Sequence, residues 1–215
     1  MGFIHPGVPQ ELVLRLAKEF GIGTFVETGT HKGNTSAWAS AHFSKVVTIE
    51  GSEHWYERTK PRLDALGNVS MILGHSREVL PTVVQELPGP ALFWLDAHWS
   101  GRQTAGVDEQ CPLLDEIAAV NQSAHDHFIL IDDARLFLAP PEPPHDVSQW
   151  PDIGATVAAL NAGPPKYVVV FEDAIIAVPM AARATVQAHC LARMAAVRNR
   201  TFSEKVTDKL VRAFR

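Results

Sequence analysis

The chain has 215 residues, 46% hydrophobic and 20% charged, which is apolar material enough for one globular domain and argues against a disordered or two-domain chain. A formal net charge of -5, from 24 acidic and 19 basic residues, weighs against a dedicated nucleic-acid binder, which presents a basic surface to phosphates. The two cysteines, Cys111 and Cys190, lack CxxC spacing, so they indicate neither a disulfide framework nor a structural zinc site, and they fit a reducing cytoplasm.

The N-terminal sequence has no cationic start followed by an apolar run, and no stretch approaches the ~18 apolar residues of a membrane span. Met1-Gly2 is followed by Pro6 where myristoylation requires Ser or Thr. A soluble protein without a targeting segment is expected.

An amphipathic helix over 11–20 leads into an apolar strand over 24–28. The loop after it carries Glu27, Gly29, Thr30 and Gly33, and a second helix over 35–42 opens there, with Asn34 or Thr35 placed to cap it. Glycines let the backbone turn sharply and let a ligand approach, so this strand, loop and helix are the candidate seat of a nucleoside-bearing cofactor. The spacing is Gly-x-x-x-Gly, and a carboxylate precedes it, which disfavours a dinucleotide pyrophosphate.

The second strand, 45–50, ends in Glu50 followed by Gly51, about 20 residues beyond the glycine loop, where a carboxylate accepts hydrogen bonds from ribose hydroxyls. A helix over 53–66 and a strand over 68–73 lead to Gly74-His75-Ser76. His75 and Ser76 are placed at the adenine edge, or Ser76 is only the cap of the next helix, 77–87.

The fourth strand, 91–96, runs into Asp96-Ala97-His98-Trp99, and the fifth, 128–132, into Asp132-Asp133. Ligands of doubly wound sheets bind beyond the carboxyl ends of the strands, so Asp96, His98, Asp132 and Asp133 are expected together. Gathered carboxylates repel, and a divalent cation is the simplest compensation, with magnesium, calcium or manganese favoured by oxygen ligands. The alternative is that one aspartate of the pair caps a turn while the other faces solvent.

Residues 101–110 are expected as a polar entrance loop before a helix over 112–121, in which Asp115 and Glu116 complement the helix dipole. The proline-dense stretch 139–151 is expected as a surface loop or a substrate-covering lid, with Trp99 and Trp150 as walls of an acceptor pocket or as packing residues. Strands over 167–171 and 174–178 flank a Glu172-Asp173 turn too short for a crossover helix and are therefore antiparallel. The tail, 181–215, is helical and basic, suited to packing on the sheet or on a second subunit as a homo-oligomer contact.

The expected fold is a doubly wound Rossmann-like α/β sheet of seven strands, five parallel plus a terminal antiparallel hairpin, with helices on both faces. It forms a single domain over 1–215, with a core at 24–178. In order and spacing, Glu27-Thr-Gly-Thr-His-Lys-Gly33, Glu50, Gly74-His75-Ser76, Asp96-Ala97-His98 and Asp132-Asp133 resemble the motifs of class I S-adenosylmethionine-dependent methyltransferases. The paired aspartates resemble those of the metal-dependent macrocin-type O-methyltransferases.

The resemblance implies that Gly29 and Glu50 contact S-adenosylmethionine, and Glu27, Thr30, Gly33, Thr35, Gly51, His75, Ser76 and Asp96 are the further expected cofactor contacts. It also implies that Asp96, Asp132 and Asp133 hold magnesium and that a small hydroxylated molecule is the acceptor. The family's Asp-Gly-Asp stands here as Asp96-Ala97-His98, which leaves Asp96 and His98 as alternative bases and His31 as a less suited one. A metal-dependent hydrolase or hydroxylase on the same fold, or a nucleoside-binding protein without catalysis, are the competing expectations.

Overall fold

A computed structural model describes residues 7–101, 106 and 109–198. The short apolar runs become strands β1 (Thr24–Thr28), β2 (Lys45–Glu50), β3 (Val69–Leu73), β4 (Ala91–Leu95), β5 (Phe128–Ile131), β6 (Lys166–Phe171) and β7 (Ala174–Pro179). They form one sheet in the order β3-β2-β1-β4-β5-β7-β6, in which β7 runs against its neighbours and β1 to β5 are parallel.

Because successive strand residues face opposite sides, each central strand feeds two cores. Leu92 and Trp94 of β4 join Phe25, Val46 and Leu130 on one face, where helix α1 (Gln10–Phe20) contributes Leu12 and Leu16. Phe93 and Leu95 join Val26, Ile49 and Ile129 on the other, covered by Leu80 of α4 (Ser76–Gln85) and Ile117 of α5 (Leu113–Asn121). Full burial of such side chains stabilises by ~1.5–3 kcal/mol each.

The order places β1 and β4 at the centre, with the chain leaving β1 toward β2 and β4 toward β5. The switch point, where a ligand crevice opens, therefore lies beyond Thr28 and Leu95. The remaining helices are α2 (Asn34–Ser40), α3 (Glu53–Asp64), α6 (Arg135–Leu138), α7 (Ile153–Leu160) and α8 (Arg183–Arg198). Neither α6 nor α7 is expected from the sequence. Helix α7, IGATVAAL, is apolar nearly all round, so it lacks the period that marks an amphipathic helix.

Two expected caps are corrected. Gly33, with φ 66°, takes the cap position of α2 without a side-chain bond, and Asn34 is already helical. His75 takes that position in α4, leaving Ser76 inside the first turn and buried.

The β6–β7 turn has Glu172 and Asp173 both at positive φ, 50° and 68°, matching the right-handed twist of the hairpin. Arg193 holds Glu172, and Arg135 holds Asp173. Helix α8 docks on this chain's own α1, where Thr185 donates to Glu19 at 2.7 Å. The rest of the basic tail lies outside the described residues. No helix among them is long and apolar enough to cross a membrane.

Candidate active site

A crevice beyond β1, β2 and β4 is lined by Gly29, His31, Glu50, Gly51, Trp55, His75, Ser76, Arg77, Asp96 and His98, with Glu109 at its rim. Of the expected cofactor contacts, Gly29, Glu50, Gly51, His75, Ser76 and Asp96 come together here.

Gly29 is required by the backbone. Its φ is 82°, and an added Cβ would stand 2.2 Å from the Asp96 carbonyl oxygen, so the β1 loop and the end of β4 pass in contact. Glu50 is oriented by two backbone donors, His31 N–H to Oε2 at 2.6 Å and Ser52 N–H to Oε1 at 2.8 Å. Each carboxylate oxygen keeps a further acceptor site, so a ribose diol fits this arrangement. Burial pushes the Glu50 carboxyl above its ordinary value against these two bonds.

Glu27, Thr30, Gly33 and Thr35 do not line the crevice. Glu27 is turned inward, 2% exposed, and its Oε2 accepts from the hydroxyls of Ser36 and Thr48. Burial pushes it up to about 7 against the hydroxyls of Ser36, Thr48 and Thr35. Thr30 shares a 2.7 Å hydrogen bond with Thr48. An added Cβ on Gly33 would meet Thr59 of α3 at 2.6 Å. These four residues build the loop from below.

His98 joins the ends of β4 and β5. Its Nε2 lies 3.0 Å from Asp133 Oδ2, and its Nδ1 lies 3.6 Å from Asp96 Oδ1. Asp133, at φ 54°, also pairs through Oδ1 with Arg135 at 2.7 Å, and its N–H donates to Asp132 Oδ1 at 2.7 Å. Arg135 extends the chain of charges to Asp173.

Burial pushes Asp96 well above the usual carboxylate range, with Asp132 and Asp133 adding to the shift and His98 opposing it. Burial likewise raises Asp132 to about 6, helped by the charge of Asp133. Asp133 goes the other way, because His98 and Arg135 outweigh its burial. The same carboxylates outweigh burial at His98 and raise it.

The expected magnesium site is not built by this arrangement. Both oxygens of Asp133 are engaged, Oδ2 by the His98 ring Nε2 and Oδ1 by the Arg135 guanidinium, and one oxygen of Asp132 is bound by a backbone N–H. Among the described residues no group of three His, Cys, Asp or Glu side chains is disposed to hold a metal ion. The repulsion that called for a cation is answered by side chains two positions beyond each aspartate, His98 after Asp96 and Arg135 after Asp133.

Trp99 and Trp150 are packing residues, each 8% exposed, rather than open walls. Trp150 lies 5.5 Å from His98 and 5.1 Å from His145, and Trp99 lies 5.5 Å from His145. Gln110 is tied to the stretch 146–150: its N–H donates to Gln149 Oε1, and its own Oε1 accepts from Asp146 N–H and Trp150 Nε1. Arg77 pairs with Glu109 across the mouth of the crevice. Trp55, Arg77 and Glu109 are functional candidates that sequence reading does not single out. The nearest signal is that Trp55 and Arg77 fall in the first turns of the helices after Glu50 and Gly74.

This architecture is the class I methyltransferase fold. Solved structures that resemble it include a putative O-methyltransferase from Klebsiella pneumoniae, 15% identical, with a TM-score of 0.56 over 81% of this chain and 82% of that one. An O-methyltransferase from Bacillus cereus in complex with SAH is 19% identical, with a TM-score of 0.56 over 81% and 83%. TomG from Streptomyces achromogenes, an O-methyltransferase of tomaymycin synthesis in complex with SAM, is 17% identical, with a TM-score of 0.51 over 82% of each chain. At these identities the likeness establishes the fold. No family model matches the chain, and no curated protein matches it in sequence.

Proposed function

We propose that the protein is an S-adenosylmethionine-dependent O-methyltransferase acting on a small hydroxylated molecule, and that His98 is its general base. The observation that carries this reading is the meeting, in one crevice of this fold, of a glycine in contact with the β4 backbone, a pre-oriented Glu50 and the Asp96–His98–Asp133 chain. The SAM- and SAH-bound structures of similar fold support the choice of cofactor.

S-adenosylmethionine, when bound, supplies a methyl group on a sulfonium sulfur. Glu50 would hold the ribose hydroxyls, and Gly29 would leave room for close approach. Asp133 accepts the Nε2 hydrogen of His98 and so fixes the tautomer, leaving Nδ1 as the free lone pair on the Asp96 side, where the crevice lies. His98 Nδ1 would take the acceptor's hydroxyl proton as the methyl passed from sulfur to oxygen and left the neutral thioether of S-adenosylhomocysteine, with Arg135 holding Asp133 in its ionised form. The divalent ion implied by the resemblance has no step in this scheme, because Asp133 is already committed to His98 and Arg135.

The test is calorimetry with S-adenosylmethionine, S-adenosylhomocysteine and NAD, each with and without magnesium. Both sulfur nucleosides are expected to bind without the metal; failure of both to bind overturns the reading. In an acceptor screen with phenols, sugars and small metabolites, His98→Ala is expected to lose methyl transfer by roughly 10²–10⁴-fold while retaining S-adenosylhomocysteine. Mn²⁺ binding that is lost in the Asp132→Asn, Asp133→Asn double variant would return the metal to the mechanism.

A further inference from the structure

The β6–β7 turn is made of residues that its conformation does not favour. Pairing of Phe171 with Ala174 leaves a loop of two residues, Glu172 and Asp173, at φ 50° and 68°. A two-residue hairpin turn with both φ positive takes Asn-Gly or Asp-Gly by preference, because a Cβ resists the left-handed region. Here neither residue is glycine, and both side chains are employed. Glu172 pairs with Arg193 of α8 at 2.8 Å, and Asp173, its side chain 6% exposed, reaches the stretch that follows β5.

Asp173 grips that stretch at three points. Its carbonyl oxygen accepts the Ala134 N–H at 2.8 Å, its Oδ1 accepts the Arg135 N–H at 3.0 Å, and its Oδ2 pairs with the Arg135 guanidinium. The same Arg135 Nη1 reaches Asp133 Oδ1 at 2.7 Å, so one guanidinium nitrogen stands between two carboxylates. Arg135 is half exposed, and an exposed arginine held by a single carboxylate is a weak anchor; the buried Asp173 is the partner that fixes it. Asp133 is itself at φ 54°, and in that conformation its Oδ2 lies 3.0 Å from His98 Nε2. A non-glycine residue persists in the left-handed region where its surroundings over-determine it. Asp173 does so from the hairpin side, holding the two residues after Asp133 and the arginine that closes on its Oδ1.

We infer that Asp173 is a positioning residue that acts through Arg135 and Asp133 to keep the neutral His98 ring in its Nε2–H form, so that the hairpin turn orients the base. That role presupposes the proposed function of His98 and adds the element that holds it. The positive φ at 173 separates this role from a purely architectural one. Glycine suits φ 68° better than aspartate does, so Asp173→Gly relaxes the turn while it releases Arg135. Were Asp173 only a turn residue, the same change would leave His98 as it is. Glu172→Gly relieves the neighbouring φ in the same way, but it frees Arg193 and leaves the Asp173 bonds in place.

The experiment records the ring-nitrogen NMR shifts of His98 at alkaline pH, where the ring is neutral and its two tautomers are distinguished. The His98 signals are identified by their loss in His98→Ala, and thermal unfolding of each variant is recorded alongside. The wild-type ring is expected in the Nε2–H form alone. Asp173→Gly is expected to fold and to lose that single form for a mixture of tautomers, whereas Glu172→Gly keeps it. Asp173→Asn, which retains an acceptor for the Arg135 N–H but not the charge, is expected to fall between. A mixture in the wild-type protein, or the Nε2–H form alone in folded Asp173→Gly, overturns the inference. Should Asp173→Gly not fold, Arg135→Gln decides: a ring still wholly Nε2–H there overturns the assignment. Failure of the wild-type protein to bind S-adenosylmethionine and S-adenosylhomocysteine strikes the proposed function instead, and the tautomer comparison still judges the turn.

Discussion

Glu27 is expected as a cofactor contact, yet its carboxyl is enclosed between Ser36 and Thr48. Its folded-state value of about 7 lies above the ordinary 4.5, so between these two limits the folded protein keeps a proton that the unfolded chain has lost. Stability from this group is thus fully present below pH 4.5 and declines by about 3 kcal/mol as pH rises to 7, levelling beyond. Glu27→Gln is expected to remove that slope and to be more stable than wild type above pH 7, as measured by urea unfolding across the range. An unchanged slope would mean that the group titrates normally. Gly29 makes a complementary demand on the same loop: Gly29→Ala forces a Cβ into the Asp96 carbonyl and a side chain into positive φ. A loss on the order of 1–3 kcal/mol in stability is expected, together with weakened S-adenosylhomocysteine binding, and intact binding in the variant would refute the close contact as a requirement of the site.

Gln110, just before α5, is joined to the stretch 146–150, since its side-chain oxygen receives both Asp146 N–H and the indole N–H of buried Trp150, while most of the expected entrance loop lies outside the described residues. Gln110→Ala leaves that indole unpaired, with an expected cost of ~1–3 kcal/mol and faster proteolysis within 139–151; proteolysis at the wild-type rate would show that the loop is held by its aromatic contacts alone. The joint is illegible in sequence because its partners are separated by 36 and 40 residues and none belongs to a periodic element. The strands, by contrast, are legible because each is a short apolar run buried on both faces, and the hairpin because two residues cannot form a crossover. The acidic cluster is read correctly as a meeting of strand ends. What compensates it depends on local turns, since the positive φ of Asp133 lets it serve both His98 and Arg135. Glu116 misleads for a similar reason: its place in the first turn of α5 suits a dipole partner, but the packing of α4 on α5 makes that face interior.

Across the molecule, the carboxyls among the described residues that are raised above their ordinary values sit at one edge of the sheet. Glu27, Glu50, Asp96, Glu116 and Asp132 all lie at or near the carboxyl ends of the strands or the helix start facing them, and burial is the largest cause at each. Glu27, at about 7, and Asp132, at about 6, therefore hold protons at mildly acidic pH, and a ligand that brings positive charge to this edge will displace them. S-adenosylmethionine carries a sulfonium that S-adenosylhomocysteine lacks, while the two share their ribose, adenine and amino-acid groups. A cation near a carboxyl favours the ionised form and lowers its pKa, so binding of the sulfonium compound releases protons, and by linkage its affinity rises as pH increases toward 7. Calorimetry at pH 6 in two buffers of different ionisation enthalpy should report more protons released by S-adenosylmethionine than by S-adenosylhomocysteine, and Glu27→Gln should narrow the difference. Equal release by the two ligands would mean that the sulfonium lies beyond the reach of these carboxyls, and the cofactor would then have to be turned so that its sulfur faces away from Asp96.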